Sequence, residues 1–228
     1  MQRQARQRLQ ALLLRNEIRY VGKSTWTAAH RRWIAGLKLP HPAQQIAFEE
    51  YVQAVEEAGR RLDRLGSALA AQLEHWRWKP LVESLQALRG IQAIHAVRIA
   101  AELGDFQRFE SPRKLMGYLG MIPSEDSSGP RRRQGSITKA GNSSARRALV
   151  EAAHAYAHPA RVSWVTARRQ TQLPKSVCDT AWKAQLRLCA RFRRLAARGV
   201  QRNKVVVAVA RELSGFVWAI ARQVKPAH

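Results

Sequence analysis

The sequence predicts a mainly α protein in which a long coiled-coil-like helix precedes a compact helical domain. Three observations carry this. Apolar residues recur at helical spacing almost throughout, Ala, Leu, Arg, Glu and Gln fill the positions between them, and strand signals are scarce. With 228 residues, 46% of them hydrophobic, the chain can bury a sizeable core in one or two domains.

Residues 3–16 read as a short basic helix with Leu9, Leu12 and Leu13 on one face. A turn at Gly22 and a capping candidate at Ser24 or Thr25 then introduce a helix bearing Trp26, His30 and Trp33, which Pro40 and Pro42 end. We assign 1–42 as basic linker helices. From 43 to 75 no proline intervenes, and Phe48, Val55, Leu62 and Leu69 repeat every seventh residue beside Tyr51, Ala58 and Leu65. This seam fits a protruding dimerisation helix and equally a helix packed within its own chain. Gly59 and Gly66 weaken it by roughly 1 kcal/mol each relative to Ala and permit a bend or a close helix approach.

Residues 76–228 form the third region. Two short helices over 81–109 are joined at Leu88, Arg89, Gly90 and Ile91, a pattern that resembles a helix-hairpin-helix element, with Gln92 in place of its second glycine. Amides at a helix N-terminus can hold a DNA phosphate without reading sequence, so Gly90 and Gln92 are candidate duplex contacts; a plain helical turn is the alternative. The segment SPRKLMGYLGMIP leads into a polar loop, after which Asn142 or Ser143 caps a helix from about 144 to 157 with Leu149, Ala152, Ala153 and Tyr156 on its apolar side. A Trp164-bearing segment, a very basic helix through Trp182, Leu186, Cys189 and Phe192, and an apolar helix over 204–222 complete the domain. The last of these reads as core packing.

Forty Lys and Arg against sixteen Asp and Glu leave a formal charge of +24, and 31 of the cations are Arg. Guanidinium forks match phosphate oxygens in pairs and stack on bases. Such an excess repels itself in the compact state unless a polyanion or counterions screen it, which points to nucleic acid; a generally basic or ribosome-surface protein is the bland alternative. Cys178 and Cys189 supply neither a disulfide framework nor a zinc ribbon and read as buried thiols. No apolar run approaches the roughly 20 residues that span a bilayer, and the polar start lacks a signal region. We expect a cytoplasmic, nucleoid-associated bacterial protein without a membrane partner.

The polar loop concentrates the chemistry. Ser127, Ser128 and Gly129 are followed by Arg131, Arg132, Arg133, Lys139, Gly141, Asn142 and Arg146. A serine attacking a phosphodiester needs help losing its proton and cations around the non-bridging oxygens. On residue types alone a solvated Ser/Gly loop whose arginines face water is the favoured reading. His154 and His158, four apart, could share a helical face, but the Glu of an H-E-x-x-H site is missing. His95 and these two read as satisfied histidines, and Glu49, Glu50, Glu56 and Glu57 as a solvated helix face.

Gly120, Pro123, Ser128, Gly129, Ile137, Thr138, Lys139, Gly141, Asn142, Arg146, Leu149, Ala152 and Ala153 fall in the order and spacing of a known signature. By these residues the chain resembles the IS110-type insertion-sequence transposases, with the likeness extending upstream through RYVGKSTWTAAHRRWI and PAQQIAFEEY. The resemblance implies DNA transposition in which the Ser-Gly serine, Ser128 here with Ser127 as the alternative, forms the covalent link to DNA. It further implies a structured guide RNA, and an N-terminal resolvase-like domain whose four acids bind a divalent metal such as magnesium. We read these 228 residues as linker, coiled coil and C-terminal transposase domain without that acidic domain, carrying no cofactor themselves and inactive alone. Arg131, Arg132, Arg133 and Arg146 are then expected on phosphates, Lys139 and Asn142 position the loop, and residues 43–74 join two copies. The alternative is a non-enzymatic DNA- or RNA-binding remnant.

Overall fold

A computed structural model describes residues 2–125 and 134–227, which form two compact units, Met1–Glu74 and His75–His228. The fold is mainly α, as expected. Ser127, Ser128, Arg131, Arg132 and Arg133 lie outside the described residues.

The first unit contains α1 (Gln2–Arg15), α2 (Ala28–Ala35) and α3 (Pro42–Leu73). Leu9 and Leu13 of α1, Ile34 of α2, Leu39 and Phe48 make its core. The cap of α2 is Thr27, whose hydroxyl accepts from the His30 amide at 3.3 Å, rather than Ser24 or Thr25. Trp26 takes a positive φ of 65° just before it, so the turn closes two residues later than composition suggested. His30 is buried among Tyr20, Trp26 and Trp33, with ring centroids 4.7, 5.2 and 5.5 Å away. Its Nδ1 accepts from the Trp26 amide at 3.1 Å, and burial pushes the imidazole pKa below the ordinary histidine value. His41 caps α3, and the side chain of Gln45 receives the Leu39 amide at 2.8 Å.

The heptad seam of α3 divides along its length. Phe48, Tyr51, Val52 and Val55 pack on the core shared with α1 and α2, whereas Leu62 and Leu65 are 51% and 53% exposed. Gly59 sits where α1 approaches, with the Gln2 side chain 3.6 Å from the position a Cβ would take.

The second unit runs α4 (Lys79–Leu85), α5 (Ala93–Leu103), α6 (Pro112–Tyr118), strands β1 (Pro123–Glu125) and β2 (Gln134–Ile137), α7 (Ser143–Ala153), α8 (Trp164–Gln170), α9 (Lys175–Ala197) and α10 (Arg202–Ala221). Helix α10 is the central post: α4, α6, α7 and α9 pack around it, and Val205, Val209, Leu213, Val217 and Ile220 are buried. Part of the expected polar loop is instead an antiparallel strand pair, with Pro123 opposite Ile137 and Glu125 opposite Gln134. Helix α7 gives way at His154 to a 3₁₀ turn through Ala157, and His158 is extended. The two histidines therefore do not share an α-helical face. Of the two thiols only Cys189 is fully buried, Cys178 being half-buried, and burial raises the pKa of both.

Gly90 joins the α4–α5 turn to α7. It has φ 84°, and a Cβ there would collide with the Ala152 carbonyl oxygen. Packing of two backbones, independent of any ligand, thus requires glycine at this position. Gln92 is the exposed N-cap of α5 and makes no side-chain cap bond. Gly90→Ala is expected to lose about 3 kcal/mol or more in urea unfolding, from a positive φ plus a backbone collision. Gly117→Ala, in α6 with nothing described within 4 Å and an ordinary φ, is expected to be neutral or to gain about 0.5–1 kcal/mol.

Candidate nucleic-acid interface

The hairpin is held at its base by two chain segments that cross in direct backbone contact. Gly120 (φ 63°) lies against the Ala140 carbonyl and Gly141 (φ 123°) against the Tyr118 carbonyl, so that a Cβ on either would collide with the other segment. Backbone hydrogen bonds close the contact: Lys139 N donates to Gly120 O at 3.0 Å, Asn142 N to Tyr118 O at 3.2 Å, and Thr138 N to Ile122 O at 2.9 Å. Glycine is needed because the carbonyls occupy the space of the missing side chains. Between the ends of this clasp the chain runs out through β1 and back through β2, so the Ser-Ser-Gly and Arg-Arg-Arg run joins Glu125 to its paired partner Gln134.

Asn142 and Arg146 belong to the clasp. The Asn142 side chain caps α7 by accepting from Ala145 N at 2.8 Å, and its amide donates to Glu102 Oε2 of α5 at 2.6 Å. Hydrogen bonds from Asn142 and then Ser144, with Arg98 nearby, hold the exposed Glu102 carboxyl below the usual carboxylate pKa. Arg146 is half-buried, and its Nη1 donates to Leu119 O at 2.8 Å. That bond satisfies a carbonyl at the end of α6, where helical partners run out. Sequence reading placed Arg146 on a phosphate; in the structure its Nη1 is on the Leu119 carbonyl, and its side chain also lines the cleft beside the hairpin base. Lys139 is exposed, with φ 56°, a left-handed conformation that its bond to Gly120 O helps to fix.

Beside the hairpin base lies a cleft of about 400 Å³ lined by Ile137, Lys139, Ser143, Arg146, Arg147, Val150 and Glu151. Glu151 receives His95 Nε2 at 3.3 Å and lies 4.0 Å from Arg98. Arg147, exposed and next in sequence to the half-buried Arg146, was not picked out from the sequence; the helical period alone puts neighbouring arginines on different sides of α7. Gly90 and Gln92 sit at the α4–α5 turn, apart from the hairpin in sequence and not among the residues lining this cleft. Among the described residues no group of three or more His, Cys, Asp or Glu is placed to hold a metal ion, and no helix is long and apolar enough to cross a membrane.

Residues 82–170, which contain the clasp and the hairpin, match the family described as Transposase IS116/IS110/IS902. Across 220 residues the chain is 44% identical to the putative transposase y4qE of Sinorhizobium fredii, a match covering 96% of this chain and 53% of that protein. The chain belongs to the IS116/IS110/IS902 transposase family. The transposase for insertion sequence element IS1533 of Leptospira borgpetersenii is 26% identical over 192 residues, covering 83% of this chain and 56% of its own length. A probable family 20 transposase of Pseudomonas aeruginosa is 32% identical over 119 residues, 51% of this chain and 33% of that protein. The chain thus spans about half the length of these transposases, or less.

The clasp makes a prediction with a pH signature. Asn142→Ala is expected to cost about 1 kcal/mol through loss of the cap. Asn142→Asp keeps a capping oxygen but sets a second carboxylate against Glu102, so at pH 7 it should unfold at lower urea than the wild type. Wild-type Glu102 has a lowered folded pKa, so its contribution is present above about 4.5 and is lost as pH falls through the folded value. The aspartate variant should behave oppositely, its deficit shrinking as acid protonates one of the two carboxyls. Urea titrations at pH 7 and pH 4 compare the two.

Proposed function

We propose that this chain is the DNA-handling part of an insertion-sequence transposase, in which Ser128 attacks a DNA phosphodiester and Ser127 is the alternative nucleophile. The observation that carries the reading is the clasp: Gly120 and Gly141 hold together the two chain segments between which, in sequence, the serines and three arginines stand, in a protein of charge +24. In this reading the Oγ–phosphorus bond forms as one phosphorus–oxygen ester bond of the strand breaks. The serine proton passes to a base and the departing hydroxyl takes one up. Ester is exchanged for ester, so the joined intermediate can be reversed onto a second strand without an energy source.

Arg131, Arg132, Arg133 and Lys139 are assigned to the phosphates, where developing charge on the non-bridging oxygens needs cations. Gln92, at the α5 N-terminus, is a candidate backbone-positioning contact. The described residues do not fit a divalent ion. Magnesium belongs in this reading with an acidic resolvase-like domain outside residues 1–228, and no step here is routed through it. A structured RNA would be a second polyanion for the same arginines. A second copy of the chain would cover Leu62 and Leu65 of α3. Engagement of Asn142 and Arg146 in the clasp favours a second reading, in which the chain binds DNA or RNA without reacting.

Two measurements test these assignments. Affinity for duplex DNA should fall roughly a thousandfold between about 50 and 200 mM salt if six or more phosphates are neutralised, and a flat profile refutes the electrostatic account. Joined to a protein that restores the acidic domain, the wild-type chain should form a covalent adduct on a nicked DNA substrate that traps the intermediate, and Ser128→Ala should abolish it with affinity nearly unchanged. An adduct lost only in Ser127→Ala moves the nucleophile by one residue, and no adduct in the wild type favours the binding reading.

For self-association, light scattering should show a dimer that Leu62→Glu with Leu65→Glu converts to a monomer, since the double substitution puts charge into the seam. The same mass in both proteins would show that the seam serves only its own chain.

A further inference from the structure

We propose that a second, larger groove, between α6, α9, α10 and the hairpin base, binds a single polynucleotide strand, with phosphates on its rim and unstacked bases on its floor. This rests on the nucleic-acid reading above and adds to it a site, a strandedness and a set of residues. The groove has a volume of about 1020 Å³ and carries Arg113 from α6, Lys139 beside the hairpin, Arg187 and Arg191 from α9, and Lys204 and Arg211 from α10. Against these six cations its described lining contains one acid, Glu212, leaving five positive charges in excess. Glu212 holds the Nε of Arg187 at 2.8 Å and that of Arg191 at 2.9 Å. One carboxylate thus brings two guanidiniums together without neutralising both.

The floor is apolar: Met116, Ile137 and Val207, with Ala208 beside them, are half-buried and line the same space. That combination selects the ligand. A duplex keeps its bases stacked inside and presents phosphates, so an apolar floor within a concavity has nothing to meet. Unstacked bases offer π faces, which the adaptable Met116, aliphatic side chains and guanidinium planes can cover. Lys204 and Arg211 are two turns apart, about 10 Å along α10, so the two can meet different phosphates of one strand. Ile137 and Lys139 also line the smaller cleft beside the hairpin base, so two residues border both cavities. A strand in the groove would therefore lie against the base of the segment that bears Ser128.

Fluorescence anisotropy on the full chain tests this with labelled eight-nucleotide deoxythymidine and uridine strands, an abasic strand carrying the same phosphates, and a duplex of equal length. Lys204→Glu with Arg211→Glu should weaken single-strand binding about tenfold or more, as two phosphate contacts are replaced by repulsion. An equal charge reversal at Lys175 and Lys183, exposed on α9 but outside the groove lining, should cost clearly less. The intact strand should bind several-fold tighter than the abasic one. Lys204→Gln with Arg211→Gln, checked by circular dichroism, repeats the loss without adding acids. The DNA and RNA arms show which strand the groove prefers. Equal loss in the groove and control variants, or equal affinity for intact and abasic strands, overturns the proposal. Salt-dependent duplex binding without single-strand binding overturns the groove alone, whereas no binding to any nucleic acid overturns the DNA-handling reading as well.

Discussion

The second unit depends on one contact, the passage of residues 118–120 against residues 139–141 with no side chain between them. Either carbonyl, of Tyr118 or of Ala140, fills the place where the other segment would carry a Cβ. The crossing is therefore available only to glycine at 120 and 141, and each also needs a positive φ that glycine adopts without strain. From it follow the end of α6, the entry to α7 and the exit and return of the hairpin. Asn142 extends the contact to α5 through Glu102, and Arg146 reinforces it by taking the Leu119 carbonyl.

The arginine excess serves two purposes that composition alone merges. Some guanidiniums hold the fold together: Arg146 bonds the Leu119 carbonyl, Arg89 the Pro159 carbonyl at 2.7 Å, and Arg108 lies 4.6 Å over both the Phe109 and Tyr118 rings. A guanidinium suits such work because its planar fork reaches orphaned carbonyls and stacks on aromatic faces. Others line concavities in which one acid faces several cations. The second group presses hardest for a polyanion, since a carbonyl satisfies part of the first group's hydrogen-bonding capacity; Arg146 belongs to both. Net charge points to the class of partner, while the geometry separates the arginines free to meet it from those the fold already uses.

Periodicity made the helices legible, because a buried helical face must repeat every three to four residues. The α4–α5 joint at Leu88–Ile91, the cap at Asn142 and the long α3 were readable in this way. The hairpin was not, since β1 and β2 are only three and four residues long and are held by the distant clasp, not by an alternating pattern. Thr27 was missed as a cap because three hydroxyl residues stand within four positions, and only the positive φ of Trp26 decides among them. The bond from Arg146 to Leu119 was not legible because nothing local marks a guanidinium whose partner carbonyl lies 27 positions away. The larger groove was invisible for the same reason: α6, the hairpin base, α9 and α10 meet only after folding.

Of the residues that carry the family signature, those that can be placed serve the frame. Gly120, Gly141, Asn142 and Arg146 make the clasp, and Leu149, Ala152 and Ala153 form the buried face of α7. The residues assigned to chemistry stand between the clasp's two ends in sequence. Transferring a phosphodiester demands that a nucleophile be positioned to within a fraction of an ångström, and a loop reaches such precision only when rigid elements hold both its ends. A contact between backbones suits that purpose, because it has no side-chain rotamers to average over. The placed part of the signature is therefore a frame, and its two ends flank in sequence the segment proposed to react.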